Sequence, residues 1–132
     1  MNLTSIRLIT DDVARLTDFY SLVTGLPARR WTPDFTEIAT PGATLALGST
    51  ATVKLFGDGS AEPAANRTAI VEFRVDDVDA EYARLRDVTG EVVQEPTTMP
   101  WGNRSLLLRD PDGTLVNLFT PVTTEAAARQ GR

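Results

Sequence analysis

Two stretches decide how this chain is read: SIRLITDDVARLTDFYSLVTG at residues 5–25 and IVEFRVDDVDAEYARLRDVTG at residues 70–90. Slid by 65 residues, Asp11-Asp12-Val13 falls on Asp76-Asp77-Val78, and Val23-Thr24-Gly25 falls on Val88-Thr89-Gly90. Self-similarity at a fixed offset marks a duplicated supersecondary unit. Between the anchors, Val13, Leu16, Tyr20 and Val23 in the first copy, and Val78, Tyr82, Leu85 and Val88 in the second, recur at helical spacing. Each copy therefore predicts an amphipathic helix. Asp11 or Asp12, and Asp76 or Asp77, suit N-caps at the positive end of the helix dipole. Gly25 and Gly90 suit the left-handed position just past the helix end.

Working outward, a strand precedes each helix, over residues 3–10 and 68–75. Shorter strands are expected at 28–32, 35–40 and 44–47 in the first copy, and at 91–94 and 104–109 in the second. Each copy is expected to close on a similar strand, Thr52-Val53-Lys54-Leu55-Phe56 and Leu115-Val116-Asn117-Leu118-Phe119. The Gly-, Pro- and Ala-rich stretch GDGSAEPAANR reads as a linker. The expected organisation is one domain, with a first module over about 1–57, a linker at 58–67, a second module over about 68–121 and a tail at 122–132 that forms a short frayed helix. The fold class is α+β: two βαβββ modules in tandem, each with a helix on one side of its sheet and the other face free.

Composition narrows the chemistry. The chain has 132 residues, 42% apolar and 23% charged, as an ordinary globular domain does. It contains neither histidine nor cysteine, so Ser-His-Asp and Cys-His catalysis and disulfides are excluded. Zinc, copper and non-haem iron sites need imidazole or thiolate, which leaves only an all-oxygen site for a hard ion. A net charge of −5 disfavours nucleic acid. No apolar run is long enough to span a bilayer, and the start MNLTSIRLIT lacks a signal-peptide pattern, so a cytoplasmic protein is expected.

Strand alternation sorts the side chains of the free face. Ile6 and Leu8, Val71 and Phe73, Val53 and Leu55, and Val116 and Leu118 are expected to point at the helices. The open face then receives Ser5, Arg7 and Ile9, Ile70, Glu72 and Arg74, Thr52, Lys54 and Phe56, and Leu115, Asn117 and Phe119. Cross-strand ion pairs of Arg7 or Lys54 with Glu72 are expected there. Three cations against one anion suit a neutral or weakly acidic ligand at least as well as a cationic one.

The paired modules, the Asp-Asp-Val helix starts, PWGNR and the hairpin RDPDGTLVNLF resemble the vicinal oxygen chelate superfamily over roughly residues 3–121. That group includes glyoxalase I, extradiol dioxygenases and fosfomycin and bleomycin resistance proteins. The resemblance implies that two modules curve their sheets into a cup, often completed by a second subunit, so a homodimer is expected. Metal-dependent members place ligands at positions that here hold Ser5, Lys54, Ile70 and Asn117, and all four depart from the pattern. The resemblance therefore implies no metal and no cofactor, and points to the metal-free branch that sequesters a toxic small molecule. The implied ligand contacts are Ser5, Arg7, Trp31, Phe35, Lys54, Phe56, Glu72, Met99, Trp101, Asn117 and Phe119. Trp101, and Trp31 with Phe35, lie where loops would overhang the cup. The rival reading is a metal-independent lyase, isomerase or cyclase using Lys54, Glu72 or Tyr20 as acid or base. A third is an interaction module whose cup its own side chains fill. Two acidic clusters need no metal: Asp110-Pro111-Asp112-Gly113 has the chemistry of a hairpin turn, and Asp76, Asp77 and Asp79 that of a helix cap.

Overall fold

A computed structural model describes residues 1–130. The chain divides into two compact units, meeting at Arg67 and Thr68. In the first, β1 (Ser5–Thr10) leads to α1 (Val13–Thr24), then β2 (Arg29–Thr32), β3 (Phe35–Ala39), β4 (Thr44–Ser49) and the short α2 (Thr50–Val53). The second repeats the order with β5 (Ile70–Arg74), α3 (Val78–Leu85), β6 (Glu91–Thr98), β7 (Asn103–Arg109), β8 (Leu115–Pro121) and α4 (Thr124–Gln130). Each unit holds a four-stranded mixed sheet, ordered β1-β4-β3-β2 and β5-β8-β7-β6. The architecture is the expected α+β pair of βαβββ modules, each followed by a short helix, and neither sheet closes into a barrel.

The repeat survives in atomic detail. Asp12 and Asp77 cap their helices by accepting from the backbone N–H of Arg15 and Ala80 at 3.0 and 3.1 Å. Thr24 and Thr89, paired by the repeat, donate their hydroxyls to the carbonyls of Tyr20 and Leu85. The C-termini differ. Gly25 takes the left-handed conformation at φ 67°, whereas α3 ends at Leu85 with Arg86 still right-handed. Gly90 is therefore not a cap, and Val88, expected in the apolar face, lies beyond the helix and 59% exposed.

Helix and sheet bury the predicted faces. Leu16, Tyr20 and Val23 meet Ile38, Leu45 and Leu47 in the first core; Val78 and Leu85 join Leu106, Leu108, Val116 and Leu118 in the second. Each such aliphatic side chain contributes about 1.5–3 kcal/mol by leaving water. Ile6 shares the helix face with buried Leu45, its partner in register, yet stays half exposed on an edge strand. On the second unit's outer side Arg104 grips Asp79 with two hydrogen bonds of 2.9 and 3.0 Å, and this guanidinium holds the Asp79 carboxyl below its ordinary pKa.

One expected element is overturned. Thr52-Val53-Lys54-Leu55-Phe56 is not a strand. The strand parallel to β1 is β4, with Ser5 opposite Thr44 and Arg7 opposite Ala46. Ser49 ends it by accepting from the backbone N–H of Ala51, which starts the α2 turn. Lys54 then closes that turn as an exposed residue, and Leu55, expected against the helix, is 87% exposed.

The tail is also more than a frayed end. Ala126 of α4 is fully buried, and the helix lies against the turn at Gly102, which adopts φ 91°. A Cβ on Gly102 would stand 2.2 Å from Thr123 Oγ1 and 3.0 Å from Ala126 Cβ. Gly102→Ala should therefore destabilise the protein by about 1–3 kcal/mol, from backbone strain and overpacking together. Gly113→Ala carries only the strain, because φ is 88° there but nothing lies within 4 Å of the added carbon. Thermal denaturation should show a clearly larger drop for Gly102→Ala; equal drops would mean that α4 does not pack on the turn.

Candidate functional site

On each sheet the face away from the main helix is set by the register of the parallel pair. In the second unit Glu72 stands opposite Asn117 and Arg74 opposite Phe119, while Ser105 and Leu107 of β7 face Phe119 and Asn117. Asn117 donates its amide to Glu72 Oε2 at 2.8 Å. Its own Oδ1 is buried without a partner, and so is Oδ1 of Asn103. A buried carbonyl without a donor carries a desolvation cost of about 1–3 kcal/mol. Two such groups on one face are a reason to look for a missing donor.

A cavity of about 550 Å³ opens beside them, lined by Glu72, Arg74, Trp101, Asn103, Phe119, Arg129 and Gln130. The turn Met99-Pro100-Trp101-Gly102 holds Trp101 over it: Gly102 N–H donates to Met99 O, and Met99 N–H to Asn103 O at 2.7 Å. Trp101 stays 59% exposed. The far wall comes from α4, where Arg129 donates to the Trp101 carbonyl at 3.0 Å and Arg74 donates to the Gln130 carbonyl at 2.8 Å. Among the expected contacts, Glu72, Trp101 and Phe119 are thus brought together, with Asn117 bonded to Glu72. Met99 shapes the turn and does not line the cavity.

The first unit places its candidates otherwise. Arg7 lies 4.9 Å from the ring centre of Phe35 and 5.3 Å from that of Phe56, a pair of cation–π contacts. Gly48 leaves room for this arrangement, because a Cβ there would meet Thr52 Oγ1 at 2.7 Å and Arg7 Cδ at 3.5 Å. The α2 turn thus folds back over the strand end that faces Arg7. Trp31 is covered by Arg29 at 3.6 Å and donates Nε1–H to Glu37 at 2.7 Å. It lines a separate cavity of about 420 Å³ with Val13, Pro33 and Thr36. Ser5 is exposed at the start of β1. Arg7, Lys54 and Glu72 make no ion pair among the described residues, and Arg7 instead stacks on Phe35 and Phe56 while Glu72 accepts from Asn117.

The register also corrects the metal-ligand positions. Ala46, not Lys54, stands in β4 where Asn117 stands in β8. The four positions are then Ser5, Ala46, Ile70 and Asn117, and two of them are hydrocarbon. Among the described residues no three His, Cys, Asp or Glu side chains are grouped so that they could hold a metal ion. The two acidic stretches are structural: Asp110 Oδ1 accepts from the N–H groups of Asp112 and Thr114, and Asp77 caps its helix. No helix among the described residues is long and apolar enough to cross a membrane.

Comparison with known proteins agrees with this geometry. The chain belongs to the Glyoxalase/Bleomycin resistance protein/Dioxygenase superfamily, whose family model matches residues 2–118. A glyoxalase/bleomycin resistance protein/dioxygenase from Nocardioides is 25% identical, with 94% of this chain and 85% of that one covered and a TM-score of 0.75. A family enzyme from Burkholderia phytofirmans PsJN, at 16% identity, reaches a TM-score of 0.81 with 92% and 100% covered. A glyoxalase-related enzyme from Fulvimarina pelagi, at 18% identity, gives 0.77 with 95% and 94% covered. These last two likenesses show the shared vicinal oxygen chelate fold alone. No curated protein matches the chain.

The orphan carbonyls give a stability test. Asn103→Leu removes a buried acceptor that has no donor and should stabilise the free protein by about 1 kcal/mol in urea denaturation. Asn117→Leu also breaks the bond to Glu72 and should not stabilise. A destabilised Asn103→Leu protein would mean that this carbonyl is satisfied in solution.

Proposed function

We propose that the chain is a metal-independent small-molecule-binding protein of the glyoxalase/bleomycin resistance type. It holds an antibiotic or related secondary metabolite on the open sheet face of a homodimer and sequesters it without chemistry. The observation that carries this reading is the cavity of the second unit, where apolar Trp101 and Phe119 stand with the unpartnered carbonyl of Asn103. Aromatic side chains beside converging polar and charged groups are features of a ligand site, and here the polar residues, Glu72, Arg74, Asn103, Arg129 and Gln130, dominate the lining.

Ligand chemistry supports metal independence. Ile70 and Ala46 have no donor atom, and Asn117 has its amide committed to Glu72. What is left in the second unit, one carboxylate and neutral amide oxygens, does not fit a divalent cation that demands several charged or imidazole ligands. The enzymatic alternative loses two of its three acid–base candidates. Tyr20 is wholly buried among core residues and Lys54 is exposed at the end of α2, so only Glu72 lines the cavity.

Native mass spectrometry of the protein incubated with a panel of antibiotics and metabolites tests the reading, with elemental analysis alongside. The expected result is a dimer that retains one panel compound at unchanged mass and carries no stoichiometric metal. A compound released with altered mass would make the protein an enzyme, and one metal per chain would overturn metal independence. Trp101→Ala should weaken retention at least about tenfold, since covering that ring is worth roughly 2–3 kcal/mol. Its melting temperature should barely change, because the ring is already exposed.

A further inference from the structure

We propose that the cavity of the second unit selects a small planar organic acid, its carboxylate held by Arg74 and Arg129 and its ring set against Trp101 and Phe119. This assignment rests on the binding reading above and names the chemical class of the ligand. Arg74 ends β5 and Arg129 lies in α4, yet both line one cavity. Each spends one described hydrogen bond on a backbone carbonyl, that of Gln130 and that of Trp101. A guanidinium has five N–H donors, so among the described residues most of each fork has no partner. Neither arginine makes an ion pair among the described residues, whereas Arg30, Arg84, Arg86 and Arg104 all meet a carboxylate. The carbonyl bonds fix where the two forks sit, so little side-chain freedom is lost when they receive an anion.

The charge count sets the ligand's charge. Among the described residues Glu72 is the one carboxylate in the lining, against two guanidiniums. The excess of one positive charge suits a monoanion and disfavours a cation. It is a local property, since the whole chain carries −5. A carboxylate matches the planar guanidinium fork in two parallel hydrogen bonds. The indole of Trp101, 59% exposed, offers the flat apolar surface, with the largely buried Phe119 at the cavity edge, which suits a ring. Asn103 lines the same cavity and adds an uncharged polar side chain beside the two guanidiniums.

Isothermal titration calorimetry with three probes that share one ring and differ in charge tests the class: 3-hydroxybenzoate, 3-hydroxybenzamide and 3-hydroxybenzylamine. The acid should bind at least about tenfold more tightly than the neutral amide, and the amine weakest. In the double variant Arg74→Gln, Arg129→Gln the acid should lose that preference. If the double variant does not fold, salt provides the second readout in the unaltered protein. Affinity for the acid should fall between about 50 and about 300 mM salt while that for the amide stays constant. Equal or tighter binding of the amide or amine would overturn the acid assignment and leave the binding reading standing. Absence of heat from all three at about 10 mM, weaker than any useful affinity, would also overturn the assignment, and the panel screen would then decide separately whether the cavity binds anything.

Discussion

The parallel pairing of first strand with last strand is the constraint on which both units depend. Residues opposite one another in such a pair point to the same side, so one register sorts every side chain. It sends Val71, Phe73, Val116 and Leu118 toward α3, and Glu72, Arg74, Asn117 and Phe119 to the other face. A shift of one residue would exchange the two sets, burying charge under the helix and turning aliphatic side chains to water. The core thereby holds the site: the hydrophobic cost of slipping is what keeps Glu72 opposite Asn117 and Arg74 beside Phe119.

The duplication produced two equivalent faces that have been used differently. In the first unit, Phe35 and Phe56 flank Arg7, and Thr52 folds back beside Gly48. Those residues satisfy one another, and the face there is furnished by its own chain. The second unit keeps its cavity, because the corresponding segment after the last strand runs past the turn at Gly102 and builds a wall from α4. Among the described residues the buried Asn103 and Asn117 carbonyls of this face lack a donor, and elsewhere Thr17 Oγ1 and Asp112 Oδ2 lack a partner. Sites made for a ligand commonly retain such local costs, which the ligand relieves on binding.

The features read correctly from the amino-acid sequence were the local ones. Caps at Asp12 and Asp77, the stripe of the first helix and the DPDG turn depend on residues a few positions apart, whereas the repeat misled at Val88 and Gly90, which lie beyond the shorter second helix. The closing strand of the first unit was misplaced because VKLF copies the lettering of VNLF, while Ala46 bears no likeness to Asn117. Only the non-local pairing with β1 shows that Thr44–Ser49 fills that role. Asn103 sits two residues from Trp101, but an orphan carbonyl is a property of packing and leaves no trace in the letters. The tail read as frayed because a seven-residue helix is marginal by itself; it is held by Ala126, Gly102 and two arginine–carbonyl bonds that join residues far apart in the chain.

A small molecule held on the second sheet's open face without a metal is the binding mode proposed for this chain. The most direct measurement is a heteronuclear NMR titration of chelator-treated protein, following the indole N–H of Trp101 and the side-chain amides of Asn103 and Asn117. These three signals should shift together and saturate at one ligand concentration, while the backbone amide of Lys54 stays in place. Signals that move only after a divalent metal is restored, or shifts confined to residues away from Glu72, Asn103 and Trp101, would contradict it.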